Sequence, residues 1–183
     1  MNKQVVCTTE RLILRQWKDS DLPEYAALNA DTEVMKYFPR LQTAEESAAF
    51  IATQSSIIAE RGYGLFAVEL KESADFIGFI GLNEATFDAE FTPCIEIGWR
   101  LRKEFWHQGY ATEGARACLE FGFENLQLKQ IYSFTAVLNQ PSERVMQRIG
   151  MTKIGEFQHP RVPLDSDLRT HVLYRMARTE HRK

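Results

Sequence analysis

Short segments in which hydrophobic residues alternate with polar ones recur along the chain and predict β-strands. In Thr9–Gln16, Leu12 and Leu14 alternate with polar neighbours, as in a strand with one buried face. GLFAVEL and DFIGFIGLNEA follow and are joined through KESA, which predicts a hairpin. Four later segments also have strand character: PCIEIGWRL, IYSFTAVL, KIGEF and HVLYRM. The pattern therefore predicts a sheet of six to seven strands.

Helix signals lie between these strands. DSDLPEYAALN has an Asp/Ser cap signal and a proline near the helix start. Thr43 and Glu46 form a capping box, in which a hydroxyl and a carboxylate each satisfy an amide at the helix end. That helix is expected to end at Arg61, before Gly62. Two more helices are predicted, one from Tyr110 to about Leu126 and one in SERVMQRIG.

The order of these elements indicates an α/β fold. The strand–helix–strand unit from Cys94 to Leu138 is expected to be a right-handed crossover between parallel strands. Its helix has a stripe of small residues suited to close packing on a sheet. The stripe consists of Ala111, Ala115, Cys118, Leu119 and Gly122.

Composition and charge narrow the class of protein. The chain has 183 residues, 44% of them hydrophobic, which is enough for one buried core, so we expect a single domain over residues 1–183. A net charge of -3 argues against a general nucleic-acid binder. Cys7, Cys94 and Cys118 form no CxxC pair and suit a reducing compartment. No apolar segment is long enough for a signal peptide or a membrane span, so a cytoplasmic location is expected.

The segment Trp106–Ala111 lies between a predicted strand and a predicted helix and is suited to hold a phosphate. Successive amides before a helix start direct several N–H groups to one point, where the helix dipole adds partial positive charge. Gly109 and Ala111 would let an anion approach the backbone. An ordinary turn at Gly109 explains the spacing equally well. The Walker and GxGxxG patterns are absent, so a nucleoside triphosphate or dinucleotide site is poorly supported.

Four blocks of the sequence, in this order and spacing, resemble the GCN5-related N-acetyltransferases. They are TERLILRQWKDSDLPEY, WHQGYATEGAR, NQPSERVMQRIGM and HPRVPLDSDLRTHVLYRM. The chain is most similar to the ribosomal-protein N-terminal acetyltransferase branch, and the resemblance covers most of its length. It implies a mixed central sheet that splays between its fourth and fifth strands and is flanked by helices. It also implies an enzyme that transfers an acetyl group from acetyl-coenzyme A (acetyl-CoA) to an amine.

The resemblance further implies how acetyl-CoA is held. The backbone of Trp99, Arg100 and Leu101 would hydrogen-bond the pantetheine arm. Asn139 corresponds to a position whose side chain contacts the cofactor, and Ser142 lies near the expected thioester sulfur. The pyrophosphate loop corresponds to Trp106, His107, Gln108, Gly109, Tyr110, Ala111 and Thr112.

Each of these assignments has a structural alternative. Trp106 stands where the family often has Gln or Arg, so the pyrophosphate would depend on backbone amides. Asn139 could be a turn residue before Pro141, and Ser142 could be a helix N-cap. Trp99 and Trp106 could be ordinary packing aromatics.

Acetyl transfer requires a neutral amine to attack the thioester, and the departing thiolate benefits from a proton donor. Many relatives supply a tyrosine where this chain has Met146, which cannot donate a proton. Ser142 is the best remaining hydroxyl and is therefore the expected donor.

A protonated amine must also lose a proton to a base. Some relatives place a glutamate on the strand where this chain has Phe134. Glu96, in CIEIGW, is the expected substitute and would act through water. A strand carboxylate that pairs with a neighbour explains Glu96 equally well, and His107 and His159 are weaker candidates.

The resemblance leaves the acceptor open. A protein N-terminal α-amino group is expected, with a small amine such as an aminoglycoside or polyamine, or a non-catalytic acyl-CoA-binding module, as alternatives. The segments expected to shape the acceptor pocket are Glu33–Arg40, Glu60–Gly64 and Phe157–Leu168. No His/Cys cluster has metal-ligand spacing, so no metal is expected, and neither nucleic acid nor membrane is an expected partner. The oligomeric state stays open, with a homodimer as one alternative.

Overall fold

A computed structural model describes residues 5–181, which contain eight strands and five α-helices. The strands are β1 (Val5–Thr8), β2 (Leu12–Arg15), β3 (Leu65–Leu70), β4 (Phe76–Ala85), β5 (Cys94–Leu101), β6 (Gln130–Ala136), β7 (Thr152–Gln158) and β8 (Thr170–Ala177). The helices are α1 (Leu22–Ala30), α2 (Ala44–Arg61), α3 (Tyr110–Glu124), α4 (Gln140–Arg148) and α5 (Arg178–His181).

The strands form one mixed sheet in the order β1-β2-β3-β4-β5-β6-β8-β7. Neighbouring strands are antiparallel except β5 and β6, which are parallel. This confirms the α/β class and the parallel crossover. The predicted count was one strand short, because β1 is a short edge strand of half-buried and exposed residues and shows no alternation. The parallel pair therefore lies between the fifth and sixth strands rather than the fourth and fifth.

The parallel strands separate almost at once. Only Glu96 on β5 and Tyr132 on β6 are paired in register, whereas β4 and β5 are paired from Gly78–Leu101 to Ala85–Cys94. Beyond the paired residues, the Ser133 hydroxyl donates to the Ile97 carbonyl at 3.0 Å. The last residues of β5 therefore have no paired strand on the side that faces β6.

The two faces of the sheet carry different helices. Phe79 on β4 packs against Tyr25 of α1 and Phe50 of α2. The next residue, Ile80, points to the other face, where it lies under Gly114 of α3. The helices α1 and α2 therefore cover one face, and α3 covers the other. In residues 5–181, no helix is both long and apolar enough to cross a membrane.

The predicted helix boundaries follow local signals. The Thr43 hydroxyl accepts from the Glu46 amide while the Glu46 carboxylate accepts from the Thr43 amide, which confirms the capping box. Gly62 ends α2 with a φ of 76°, a left-handed conformation that favours glycine. Helix α3 ends at Glu124, close to the expected Leu126.

The small-residue stripe of α3 permits its close approach to the sheet. Ala115 and Cys118 have no exposed surface. A Cβ atom on Gly122 would lie 2.7 Å from Ile131 of β6, and one on Gly114, outside the predicted stripe, would lie 2.4 Å from Ile80. Larger residues at these two glycines would push the helix away from β4 and β6 and so displace the start of α3.

Candidate active site

The end of β5 presents one free backbone edge. Trp99, Arg100 and Leu101 pair with β4 through Ile80, Phe79 and Gly78, and none has a register partner in β6. The Leu101 carbonyl accepts a hydrogen bond from the Trp106 indole at 2.9 Å. An extended ligand therefore has room to continue the sheet along the β6 side of these residues, as the resemblance implies for the pantetheine arm.

The loop before α3 has the backbone geometry of an anion site. His107 and Gly109 both have left-handed φ angles, 61° and 84°. Gly109 is the N-cap residue of α3, and no side chain caps this helix end. The amides at the start of α3 and the positive end of its dipole are therefore available to a phosphate.

Arg11 adds a positive charge beside this loop. Its guanidinium donates to the Gln108 carbonyl at 3.0 Å and lies 4.4 Å from the Tyr110 ring centroid. It also pairs with Glu113 in the first turn of α3. Burial acts against the ionisation of Glu113, but hydrogen bonds from Thr9 and Arg11 hold its pKa below the ordinary value. Arg11 was missed from the sequence, because its partners lie about a hundred residues away.

Asn139 and Ser142 lie at the start of α4, and it is Asn139, not Ser142, that caps the helix. Asn139 is the N-cap: its side-chain oxygen accepts from the Ser142 amide at 3.3 Å, and its side-chain nitrogen donates to Thr135 at 2.9 Å. The interpretation of Ser142 as the N-cap was therefore wrong. Across residues 5–181, no group hydrogen-bonds the Ser142 hydroxyl, which leaves that hydroxyl available.

Glu96 lies where β5 and β6 begin to separate. It faces the α1 and α2 side of the sheet, and its carboxylate accepts a hydrogen bond from the Asn83 side chain at 3.0 Å. Burial raises the pKa of Glu96 to about 7, although the Asn83 hydrogen bond and the charge of Arg161 act in the opposite direction. A carboxyl group with this pKa exchanges protons near neutral pH.

Glu96 and Ser142 reach the opening from opposite faces of the sheet. Glu96 shares its face with Arg100, which contacts Asn29 of α1. Ser142 belongs to α4, which contacts α3 and β6. The structure thus places the two candidate catalytic residues on either side of the space where the strands diverge.

The other residues considered for proton transfer lie elsewhere. Met146 is 1% exposed and belongs to the core. His107 is on the exposed loop before α3. Burial, with the charges of His171 and nearby arginines, lowers the pKa of His159 to about 4. His159 is therefore neutral at pH 7.

An aromatic cluster covers the sheet next to Glu96. Its members come from β6, β7, β8 and the loops that follow β4 and β7. The ring centroids of Phe87 and His159 are 4.6 Å apart. The cluster consists of Phe87, Phe91, Phe134, Phe157, His159 and His171. Arg161 lies 5.9 Å from the centroid of the Phe87 ring. Phe134, the residue at the family's glutamate position, is thus a packing residue here.

Two of the three segments expected to shape the acceptor pocket border this same face, whereas Glu60–Gly64 contacts Glu84, which points to the other face. In Glu33–Arg40, the Phe38 ring lies 4.0 Å from the Arg100 guanidinium. In Glu60–Gly64, Arg61 pairs with Glu84 of β4 at 2.7 Å. Phe157–Leu168 contributes two rings to the aromatic cluster. Their role in acceptor binding stays a prediction.

No metal centre is formed by the part of the chain that the structure describes. Residues 5–181 contain no group of three or more His, Cys, Asp or Glu side chains that could hold an ion.

Comparison with known proteins connects this geometry to a family. A family model described as an acetyltransferase (GNAT) domain matches residues 11–152. The uncharacterized N-acetyltransferase YnaD of Bacillus subtilis is 35% identical over 152 residues, which cover 82% of this chain and 85% of YnaD. An acetyltransferase (GNAT family) structure from Bacillus anthracis has a TM-score of 0.80 and 28% identity, covering 94% of this chain and 98% of that one.

A third similarity concerns the fold alone. RimL, a ribosomal-protein alpha-N-acetyltransferase solved in complex with coenzyme A, has a TM-score of 0.76 at 18% identity and covers 95% of this chain and 98% of its own. The matched family model spans β2 to the start of β7 and so includes the diverging strands, the loop before α3 and the start of α4. The chain is an N-acetyltransferase and belongs to the GNAT family of acetyltransferases.

Proposed function

We propose that this enzyme acetylates an α-amino group at the N-terminus of a protein. The observation that carries the proposal is Glu96, a carboxyl group held by Asn83 beside the point where β5 and β6 separate. GNAT acetyltransferases use acetyl-CoA as the acetyl donor, so the identity of the acceptor amine is the part of the function to be argued.

The residues of this chain fit acetyl-CoA. Apart from the Leu101 carbonyl, which already accepts from Trp106, the unpaired β6 side of Trp99–Leu101 suits the amide groups of the pantetheine arm. The uncapped start of α3, with Gly109 in a left-handed conformation, suits the pyrophosphate. Asn139 keeps one side-chain N–H and one oxygen lone pair after its contacts with Thr135 and Ser142.

The choice of amine follows from matching pKa values. An α-ammonium group has a pKa near ~8, whereas a lysine-type ammonium group has a pKa near ~10.4. Glu96, with a pKa of about 7, is close to the first and far from the second. Because proton transfer from an α-ammonium group to Glu96 is only slightly uphill, the site favours α-amines over lysine side chains and polyamines.

The reaction then balances in two steps. Glu96 takes a proton from the ammonium group, and the neutral nitrogen attacks the thioester carbonyl to form a tetrahedral intermediate. The nitrogen then releases its second proton to solvent, the C–S bond breaks and the N-acetyl product forms. The thiolate accepts a hydrogen bond from Ser142 and is neutralised by a proton from solvent. Ser142 belongs to the helix on the other face, so the donor and the base do not compete for the same proton.

A panel of acceptors tests the proposal. Release of coenzyme A would be measured with a short peptide that has a free N-terminus, the same peptide with a blocked N-terminus and an internal lysine, and spermidine. We expect the first to react at least tenfold faster than the others, with the acetyl group located on the α-nitrogen by tandem mass spectrometry. Faster acetylation of lysine or spermidine would refute the assignment.

A further inference from the structure

Arg100 is a half-buried arginine whose Nε is buried, and within residues 5–181 it has no counterion. Its guanidinium donates to Asn29 of α1 at 2.7 Å through Nη1, and no carboxylate within residues 5–181 lies within 4.0 Å of it. Arg15 on β2 and Arg102, directly after β5, both pair with carboxylates, whereas Arg175 on β8 also has a buried Nε without a partner. A guanidinium removed from water normally acquires such a partner, so the missing one points to a ligand.

The N–H groups of Arg100 that make no hydrogen bond lie on the edge of the guanidinium with which arginine binds carboxylates. Its Nε atom is buried and has no hydrogen-bond partner, and Nη2 makes no hydrogen bond within the described residues. These adjacent N–H groups form the fork with which arginine holds a carboxylate in bidentate fashion. The Phe38 and Phe79 ring centroids lie 4.0 and 5.5 Å from the central carbon of the guanidinium.

A second donor without a partner lies beside it. The Tyr25 hydroxyl is buried and has no hydrogen-bond partner of good geometry, although the nearby Asn29 side chain acts to lower its pKa. Burial raises the pKa of Tyr25, and the charge of Arg100 acts against that rise, so the two groups are close enough to interact. Two unsatisfied donors in one place suit an anion better than a cation.

The sheet between Arg100 and Glu96 is open. Both residues point to the α1 and α2 face, with Gly98 between them, and a Cβ atom on Gly98 would meet nothing within 4 Å. Four residues of strand separate their Cα atoms by about 13 Å. A molecule lying over Gly98 can therefore reach both side chains.

We propose that the acceptor carries a carboxylate near its amine, and that Arg100 and Tyr25 bind this carboxylate while the amine lies at Glu96. The inference rests on the proposed function and narrows it to N-termini with Asp or Glu at the second position. The α-carboxylate of a free amino acid has the same chemistry but lies only two bonds from its amine, which is short for the distance between Arg100 and Glu96. A polyamine has no carboxylate that Arg100 could bind, and its positive charges would be repelled by the Arg100 guanidinium.

The test compares two peptides that differ only in glutamate or glutamine at position 2, with free glutamate as a third acceptor. For the wild-type enzyme we expect a kcat/KM at least tenfold higher for the glutamate peptide, mainly through KM. Arg100→Gln should bring the ratio close to one, and Tyr25→Phe should lower it in part. Arg102→Gln is the matched control, because Arg102 already pairs with Glu24 at 2.8 Å, and it should leave the ratio unchanged.

The outcomes separate this inference from the proposed function. Calorimetric binding of both peptides in the presence of coenzyme A provides a measurement that needs no turnover. Binding that depends on the glutamate and on Arg100, without acetylation, would refute the proposed function and support the anion site. Equal affinity for both peptides would overturn the anion site even if both were acetylated.

Arg100-dependent use of free glutamate in preference to either peptide would support the site and identify a free amino acid as the source of the carboxylate. If Arg100→Gln does not fold, the Tyr25→Phe ratio decides, since that variant removes only an unpaired hydroxyl.

Discussion

Two arginines on the same sheet, three strands apart, have opposite surroundings. Arg15 on β2 is 4% exposed and holds Asp21 through two hydrogen bonds of 2.7 and 2.8 Å and Glu69 through a third of 2.7 Å. Arg100 on β5 has one amide partner and no carboxylate. Burial lowers the pKa of both guanidinium groups, but at Arg15 the two carboxylates reverse the direction and raise it.

The difference distinguishes an arginine that stabilises the fold, Arg15, from one that we propose binds the substrate, Arg100. The Arg15 network is complete, so its charges hold β2, β3 and the turn before α1 together. Around Glu96 and Arg100 the polar groups are only partly satisfied, which costs stability and leaves interactions for a substrate to complete. Unsatisfied buried polar groups are therefore a better guide to the acceptor site than charge alone.

The largest expected effect comes from making the same substitution at both arginines. Arg15→Gln leaves Asp21 buried without a charged partner and should lower the free energy of unfolding by about 3–5 kcal/mol. Arg100→Gln removes one hydrogen bond and a contact with Phe38, and should cost at most about 1–2 kcal/mol. Chemical denaturation of the two variants checks this. A larger loss for Arg100→Gln would show that Arg100 is a structural residue.

Glu96→Gln tests the base while keeping the shape of the side chain. We expect kcat/KM for an α-amine peptide at pH 7 to fall about 10²–10³-fold, with the affinity for acetyl-CoA unchanged. Glu84→Gln, on the neighbouring strand and 41% exposed, is the control and should retain full activity. Loss of activity in both variants would indicate a general effect on β4 and β5.

The same variant should also change the pH dependence of stability. Glu96 has its ordinary pKa of 4.5 when unfolded and a pKa of about 7 when folded, so the folded state binds more protons between these values. Stability contributed by this group is therefore lost as the pH rises through that window. The difference in melting temperature, Glu96→Gln minus wild type, should therefore be more positive at pH 8 than at pH 5. An equal difference at both pH values would show that the folded pKa of Glu96 is not raised.

Ser142→Ala tests the proton donor with a smaller expected effect. We expect kcat to fall roughly 10–100-fold with little change in the affinity for acetyl-CoA, the signature of an interaction that strengthens in the transition state. The melting temperature should stay unchanged, because Asn139 caps α4. Asn139→Ala should instead lose about 1 kcal/mol of stability. Full activity of Ser142→Ala would show that the thiolate leaves unaided.

Gly109→Val tests the loop before α3. A branched side chain should obstruct the pyrophosphate and weaken acetyl-CoA binding at least tenfold, or about 1.4 kcal/mol, measured by calorimetry. Gly62→Val is a matched control, because Gly62 has nearly the same backbone angles (φ 76° against 84°) and caps a helix away from this loop. Equal loss of affinity in both variants would mean that backbone strain, and not the ligand, is responsible.

Local signals allowed the sequence to predict much of the fold. The Thr43–Glu46 box, the glycine after α2 and the alternation of Leu12 and Leu14 in β2 depend on residues a few positions apart. Strand β1 was missed, because a short edge strand with little burial has no period to detect. The helix cap at Asn139 rather than Ser142 differs by three positions, a shift that only the backbone angles reveal.

The site was predictable to a lesser extent, because its contacts join distant parts of the chain. Glu96 and Ser142 were predicted from the sequence with the help of a family resemblance, and their catalytic roles stay predictions. Asn83 beside Glu96, Arg11 beside the loop and the missing partner of Arg100 depend on side chains brought together by the fold. The side chain of Arg100 was not considered, since its strand position predicted only a backbone contact.

The most direct test of Glu96 as the base is the pH dependence of kcat/KM for an α-amine peptide in the wild type and in Glu96→Gln. The raised pKa of Glu96 predicts that the wild-type rate increases with pH through an apparent pKa of about 7. In Glu96→Gln this limb should disappear, and the rate should follow deprotonation of the acceptor amine near ~8 instead. An identical limb near pH 7 in both enzymes would contradict the account, because the group that titrates would then not be Glu96.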